Sequence, residues 1–250
     1  MPEPNCQCCG PALPRHAAGG RRGLLCAGLG GLAAALGPRA PARAADPVPH
    51  TRLTPDEALA LLKKGNDDFR HEEPFSFPHG HKTLEDLSRG QAPFVVLVGC
   101  SDSRVAPELL FGRGLGEMFI VRNAGNTVDT AALGSIEYGV GVLGCPLVVV
   151  MGHQSCGAVA AALDVVERGA SFPGVIGEMV QPILPAVLSA RRPNGTIALD
   201  DAVTANARRV AGRIKTQSVV LQDAIRAGRL KVVAARYELG TGDVSWLGEG

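Results

Sequence analysis

Two short apolar runs, each ending abruptly in reactive side chains, constrain this chain more than any other feature. The first is Phe94-Val95-Val96-Leu97-Val98-Gly99, introduced by Pro93 and followed at once by Cys100-Ser101-Asp102-Ser103-Arg104. The second is Leu147-Val148-Val149-Val150-Met151-Gly152, followed by His153-Gln154-Ser155-Cys156-Gly157. Runs this short, this β-branched and without polar alternation read as strands covered on both faces. Such strands belong to parallel sheets, and open α/β sheets place their ligands beyond the carboxyl ends of the strands. Both clusters of chemistry are therefore expected at one edge of one sheet.

The remaining pattern supports that fold class. Thr54-Pro55-Asp56-Glu57 starts a helix, with Thr54 as N-cap, Pro55 at the first helical position and Glu57 closing a capping box. A short helix is predicted over Thr83 to Arg89, a strand over Met118-Phe119-Ile120-Val121 and a helix from about Asp129 to Leu143. Gly134, Gly139 and Gly141 within that last helix imply close contact with another element. Helix is predicted over 154–168, over 175–190 with breaks at Pro182 and Pro185, and over 198–227 in one or two pieces. A last strand covers Leu230 to Tyr237, and a turn leads on to Asp243–Trp246. Strands alternating with helices specify an α/β domain: a mostly parallel central sheet flanked by helices, with an N-terminal helical arm.

Residues 1–45 do not read as fold. Arg21-Arg22, a Gly/Ala-rich apolar segment to Leu36 and the small residues Ala42-Arg43-Ala44-Ala45 follow the order of an export signal, of a kind similar to twin-arginine signals. The expected organisation is a signal over 1–45 and one domain over 46–250. The expected location is the bacterial periplasm, or the cytoplasm if the leader does not function. The whole chain carries 25 basic and 24 acidic residues, and removing the five Arg and one Glu of the leader leaves 20 against 23. That balance gives no nucleic-acid footprint. No apolar stretch of the mature part is long enough to span a bilayer.

Four of the seven cysteines, Cys6, Cys8, Cys9 and Cys26, lie in the leader. The other three do not make a disulfide framework. Cys145, before Pro146 at the start of a strand, reads as an inert core thiol. Cys100, His153 and Cys156 supply two thiolates and an imidazole, a set that suits tetrahedral zinc with a fourth position for water or for Asp102. The spacing of His153 and Cys156 predicts that both donors share one turn at a helix start, where the helix N-terminus favours a thiolate at Cys156. The glycines of Gly112 to Gly116 precede a strand rather than follow one, which excludes a nucleotide-binding loop. A purely structural zinc would not need Asp102 and Arg104 beside it.

Cys-Ser-Asp-Ser-Arg followed by Gly-His-x-x-Cys-Gly, with Arg122-Asn123-Ala124-Gly125-Asn126 between, resembles the β-class carbonic anhydrases from about Thr54 to Leu247. The resemblance implies reversible hydration of CO2 to bicarbonate on one zinc ion per chain, held by Cys100, His153 and Cys156. It implies that Asp102, paired with Arg104, orients the zinc-bound water, and that Asp102 becomes the fourth ligand in a closed state. It also implies a pocket lined by Gln91, Val105, Phe119, Tyr138 and Gly157, shared between the subunits of a homodimer or higher homo-oligomer. Some bacterial members hold a second bicarbonate in a pocket of Trp, Arg and Tyr. Arg122 and Tyr138 match it, but Leu97 stands at the Trp position, so the open type without bicarbonate inhibition is expected. Relatives with the same zinc site act on CS2 or COS, which makes hydrolysis of those molecules the alternative activity. The non-enzymatic alternative is a zinc-stabilised bicarbonate-binding protein.

Overall fold

The computed structural model of the chain describes residues 49–73 and 80–249. The expected signal over 1–45 lies outside the described residues, with its four cysteines.

Five strands form one sheet in the order β2-β1-β3-β4-β5. They are β1 (Val95–Gly99), β2 (Met118–Arg122), β3 (Leu147–His153), β4 (Lys231–Tyr237) and β5 (Val244–Glu249). The first four run parallel, and β5 closes one side antiparallel to β4. Every residue of β1 and β3 is buried, as their apolar runs over 95–99 and 147–152 require, and His153 is buried with them. The chain leaves β1 to one side for β2 and returns to its other side for β3. The strand order thus reverses at β1, which opens a crevice beyond the carboxyl ends of β1 and β3.

Helices cover both faces. The α1 helix (Pro55–Arg70) begins with the predicted box: Thr54 Oγ1 accepts from the Glu57 N–H at 3.3 Å and Glu57 Oε2 accepts from the Thr54 N–H at 2.7 Å. A cap of this kind contributes about 1 kcal/mol. Ala58 and Leu62 on α1 are wholly buried in the cluster that covers one face of the sheet with Val95, Leu97 and Val149. Gly65 of α1 lies against α3 (Pro107–Leu110) and its C-cap Phe111; a Cβ on Gly65 would stand 2.0 Å from the Phe111 carbonyl oxygen. The short α2 (His81–Ser88) buries no residue. The other face carries α4 (Thr130–Gly141), α8 (Leu199–Gln217) and α9 (Val219–Arg226), packed over Val96, Val98, Val148 and Val150. Gly139 gives room to Val96 of β1 and Gly141 to Val220 of α9, so two of the three glycines of α4 mark close contacts within the chain. A third cluster, built from α5 (Gly157–Arg168), α6 (Ile176–Val180), α7 (Leu184–Ser189) and the start of α8, closes around Cys100 and Cys156.

Several boundaries shift from expectation by a few residues, and the 198–227 segment takes the two-piece form of its expectation. The α5 helix starts at Gly157 rather than Gln154, because His153 still belongs to β3 and pairs with Tyr237. The 198–227 helix is two helices: Ser218 is extended, accepts from the Leu221 N–H at 3.1 Å to cap α9, and donates to Glu137 at 2.6 Å. The final strand continues to Glu249 because β5 completes an antiparallel pairing across β4. Among the described residues no helix is long and apolar enough to cross a membrane.

Candidate metal centre

Cys100 is the first residue beyond β1, and His153 is the last residue of β3. They are 5% and 0% exposed. Between His153 and Cys156 the chain reverses through Ser155, whose φ of 55° is a left-handed conformation uncommon for a side-chain-bearing residue. Cys156 is then the N-cap of α5. The two donors therefore do not share a helical turn, as the spacing alone had suggested. One is a strand end and the other a helix cap, and the strained turn joins them. The Sγ atoms of Cys100 and Cys156 lie 3.9 Å apart, and the donor atoms of Cys100, His153 and Cys156 all fall within 4.8 Å of one another.

The imidazole is oriented by the backbone. His153 Nδ1 donates to the Gln154 carbonyl oxygen at 2.9 Å, since a carbonyl only accepts. Gln154 is itself pinned: its N–H donates to the Tyr237 carbonyl at 2.8 Å and its side-chain oxygen accepts from the Leu239 N–H at 3.2 Å. The neutral ring then carries its lone pair on Nε2, a buried atom with no hydrogen-bond partner among the described residues. An unpartnered buried nitrogen facing two sulfurs costs stability unless something electrophilic sits between them. These residues fit a metal ion.

The thiols are electrostatically linked. Contact with Cys156, helped by His153 and by the Gly125 N–H at 3.3 Å from the sulfur, holds the Cys100 thiol down to about 4 against the opposing effect of burial. The same contact and burial push the Cys156 thiol well above the ordinary range, although the N–H groups of Val159 and Ala158 at the start of α5 pull the other way. The pair sheds one proton readily and holds the second, until a cation shares both sulfurs.

Asp102 stands beside this set without joining it. Its Oδ2 lies 3.8 Å from His153 Nε2. Arg104 donates to both carboxylate oxygens, from Nε at 2.9 Å to Oδ1 and from Nη2 at 2.8 Å to Oδ2, and its backbone N–H adds a third bond to Oδ1 at 3.0 Å. That fork holds the Asp102 carboxyl far below the usual carboxylate range. Arg122, at the end of β2, clamps the same turn by donating to the Cys100 carbonyl at 2.8 Å and the Asp102 carbonyl at 2.7 Å. Leu97 is wholly buried in the sheet below.

The expected pocket residues fall into two groups. Val105 is 1% exposed and donates its N–H to the Asp102 carbonyl at 3.0 Å, and Gly157 follows Cys156 with open space where a Cβ would stand. Gln91, Phe119 and Tyr138 are not with them. Phe119 pairs with Val96, four residues before Cys100 on β1, which is about 13 Å at the rise of a strand. Gln91 is exposed ahead of β1, and Tyr138 on α4 is 48% exposed with its ring 6.1 Å from that of Phe119. Within one chain these three lie towards the opposite end of the sheet.

Two residues near the donors received no role from the sequence, although Gly125 lies in the motif between the two clusters. Gly125 points its N–H at Cys100, and Asn206 of α8 holds the Gly125 carbonyl at 2.8 Å. Asn206 could have been found. It sits among Ala202, Val203, Ala207 and Val210 on the buried stripe of α8, where a polar residue calls for a partner. Cys145, by contrast, is buried with its Sγ 3.3 Å from the Pro93 carbonyl, and burial pushes it up to about 12, as suits an inert thiol.

A family model described as carbonic anhydrase matches residues 95–244, which holds both motif clusters and all five strands' first residues. Carbonic anhydrase 2 of Mycobacterium tuberculosis is 39% identical over 195 residues, covering 78% of this chain and 93% of that protein. A carbonic anhydrase of Pseudomonas aeruginosa is 31% identical over 189 residues, covering 72% and 85%. Among solved structures, one of two tetrameric β-carbonic anhydrases from Sordaria macrospora superposes with a TM-score of 0.61 at 25% identity over 76% of this chain and 95% of that one. The Coccomyxa β-carbonic anhydrase, in complex with acetazolamide, gives 0.59 at 28% identity over 76% and 84%. The crevice at the strand reversal, the donors gathered there and these likenesses agree, and the chain belongs to the β-carbonic anhydrase family of enzymes.

Proposed function

We propose that Cys100, His153 and Cys156 hold one zinc ion per chain and that the enzyme interconverts CO2 and bicarbonate. Two thiolates on a tetrahedral zinc stand about 3.8 Å apart when each Zn–S bond is about 2.3 Å, and the two sulfurs here are 3.9 Å apart. The observation that carries the reading is the buried, unpartnered His153 Nε2 facing that pair, with the Asp102 carboxylate 3.8 Å away. When bound, the ion supplies a Lewis acid that makes water acidic near neutral pH.

The chain's own residues do the rest. Asp102, kept anionic by Arg104, accepts a hydrogen bond from the attacking water and fixes its direction. It cannot itself donate, so it selects a nucleophile that still bears a proton to give. Val105 offers an apolar wall suited to an uncharged substrate. Arg104 and Arg122 keep the turn, and so the carboxylate, where it is. Both oxygens of Asp102 are engaged by Arg104, which favours the open state over the one in which Asp102 is a ligand.

A second copy of the chain completes the pocket in this reading. Gln91, Phe119 and Tyr138 lie far from their own chain's donors, and Tyr138 is half exposed, as residues offered to a neighbour's site would be. The 1–45 segment is proposed to export the enzyme and to be removed.

Stopped-flow hydration of CO2 by the protein starting at Ala45, with and without a chelator, tests the proposal. Turnover should vanish with chelation and return with zinc. Asp102→Ala should keep the ion and lose most turnover. Turnover that survives chelation would contradict the metal-dependent reading, and a zinc-loaded wild type without turnover would leave the reading as a zinc-stabilised binding protein.

A further inference from the structure

Gly125 is the point where the loop after β2 touches the donor set. Its N–H donates to Cys100 Sγ at 3.3 Å, and its backbone sits at φ 67° and ψ 24°, the left-handed region. Glycine enters that region easily but also leaves it easily, so the residue that aims this N–H is poorly held by its own torsions. Nothing at the position could stiffen it. A Cβ there would stand 2.7 Å from Ile183 Cδ1 and 3.0 Å from Ala158 Cβ.

The restraint comes from elsewhere. Asn206, 1% exposed on α8, donates from Nδ2 to the Gly125 carbonyl at 2.8 Å. Among the described residues its Oδ1 has no hydrogen-bond partner. A buried amide with only its donor satisfied is costly to keep for packing alone, because an apolar side chain of similar size would suit the surrounding alanines and valines better. We propose that Asn206 is a positioning residue for the metal centre: it locks the peptide beyond Gly125 so that the Gly125 N–H stays aimed at the Cys100 sulfur. That bond draws electron density from the thiolate. With two thiolates on one ion, it limits how far the sulfurs neutralise the metal's charge.

The inference rests on reading Cys100, His153 and Cys156 as a metal site, and the test separates the two. Cadmium-113 and cobalt(II) are exchanged into the wild type, Asn206→Leu and Val210→Ala. Val210 lies one turn along α8 and faces the other core cluster. In the cadmium protein the Gly125 amide proton should show scalar coupling to the metal through the sulfur. Asn206→Leu should lose that coupling, move the sulfur-to-cobalt charge-transfer band to longer wavelength and weaken zinc in chelator competition by about tenfold or more. Val210→Ala should lower the melting temperature and move neither band nor affinity. A folded, cadmium-loaded wild type without the coupling overturns the inference, and this result decides alone if Asn206→Leu does not fold. An Asn206→Leu protein with the wild-type band and affinity overturns it too, whatever its melting temperature. A wild type that takes up no metal sinks the underlying reading and takes the inference with it.

Discussion

Arg104 holds the carboxylate of Asp102 by both oxygens, at 2.9 and 2.8 Å, within a turn only five residues long from Cys100. The pair is more than a surface ion bridge. Asp102 is mostly shielded while Arg104 is half exposed, so the arginine can reach solvent while the carboxylate stays beside the donors. The fork fixes direction as well as charge, and direction is what a hydrogen-bond acceptor beside a reacting water must have.

Lysine cannot reproduce that fork, because an ammonium is a single point of charge on a flexible stem. Arg104→Lys should therefore bind zinc as the wild type does and lose kcat/KM by about a hundredfold, the scale of a misplaced catalytic group. Stopped-flow rates with metal analysis of the same samples check this. Equal rates would mean that charge alone suffices.

The pH dependence follows from the sign of the shift at Asp102. Its folded pKa is depressed, so the ion pair's contribution is complete above the unfolded value and is lost only as pH falls through the folded one. That window lies below the ordinary carboxylate value of 3.8. The carboxyl 13C resonance of Asp102 should then show no midpoint at or above 3.8, and Arg104→Leu should move the midpoint upward. Any change in rate between pH 5 and 9 belongs to another group.

Much of this was readable before any coordinates. Residues 95–99 and 147–152 carry no polar side chain because both faces of those strands are covered, and a residue at or just past such a strand's end, as His153 and Cys100 are, is presented at the sheet edge. Thr54, Pro55 and Glu57 fix the start of α1 by local chemistry alone. What depended on distant parts of the chain was less legible. The left-handed Ser155 kept His153 in its strand and made Cys156 a cap, a turn that residue spacing does not reveal. Ser218 split a long helical pattern because its hydroxyl finds Glu137, remote in sequence. Gln91, Phe119 and Tyr138 came from the family resemblance rather than from any local pattern, and a single chain does not bring them to the donors.

The packing of α1 on α3 makes a prediction independent of the metal. Gly65→Ala would drive a methyl group into the Phe111 carbonyl, a backbone atom that cannot turn aside. Overpacking of this kind costs about 1–3 kcal/mol, so urea unfolding should show a lower midpoint with the same slope. An unchanged midpoint would mean that Gly65 does not approach the Phe111 carbonyl this closely.

X-ray absorption at the zinc edge of the purified protein addresses the central claim most directly. The account predicts one zinc per chain with two sulfur neighbours at about 2.3 Å and the remaining neighbours nitrogen or oxygen at about 2.0 Å, with one sulfur lost in Cys100→Ser. Zinc in substoichiometric amount, or a shell of light atoms with no sulfur, would contradict it.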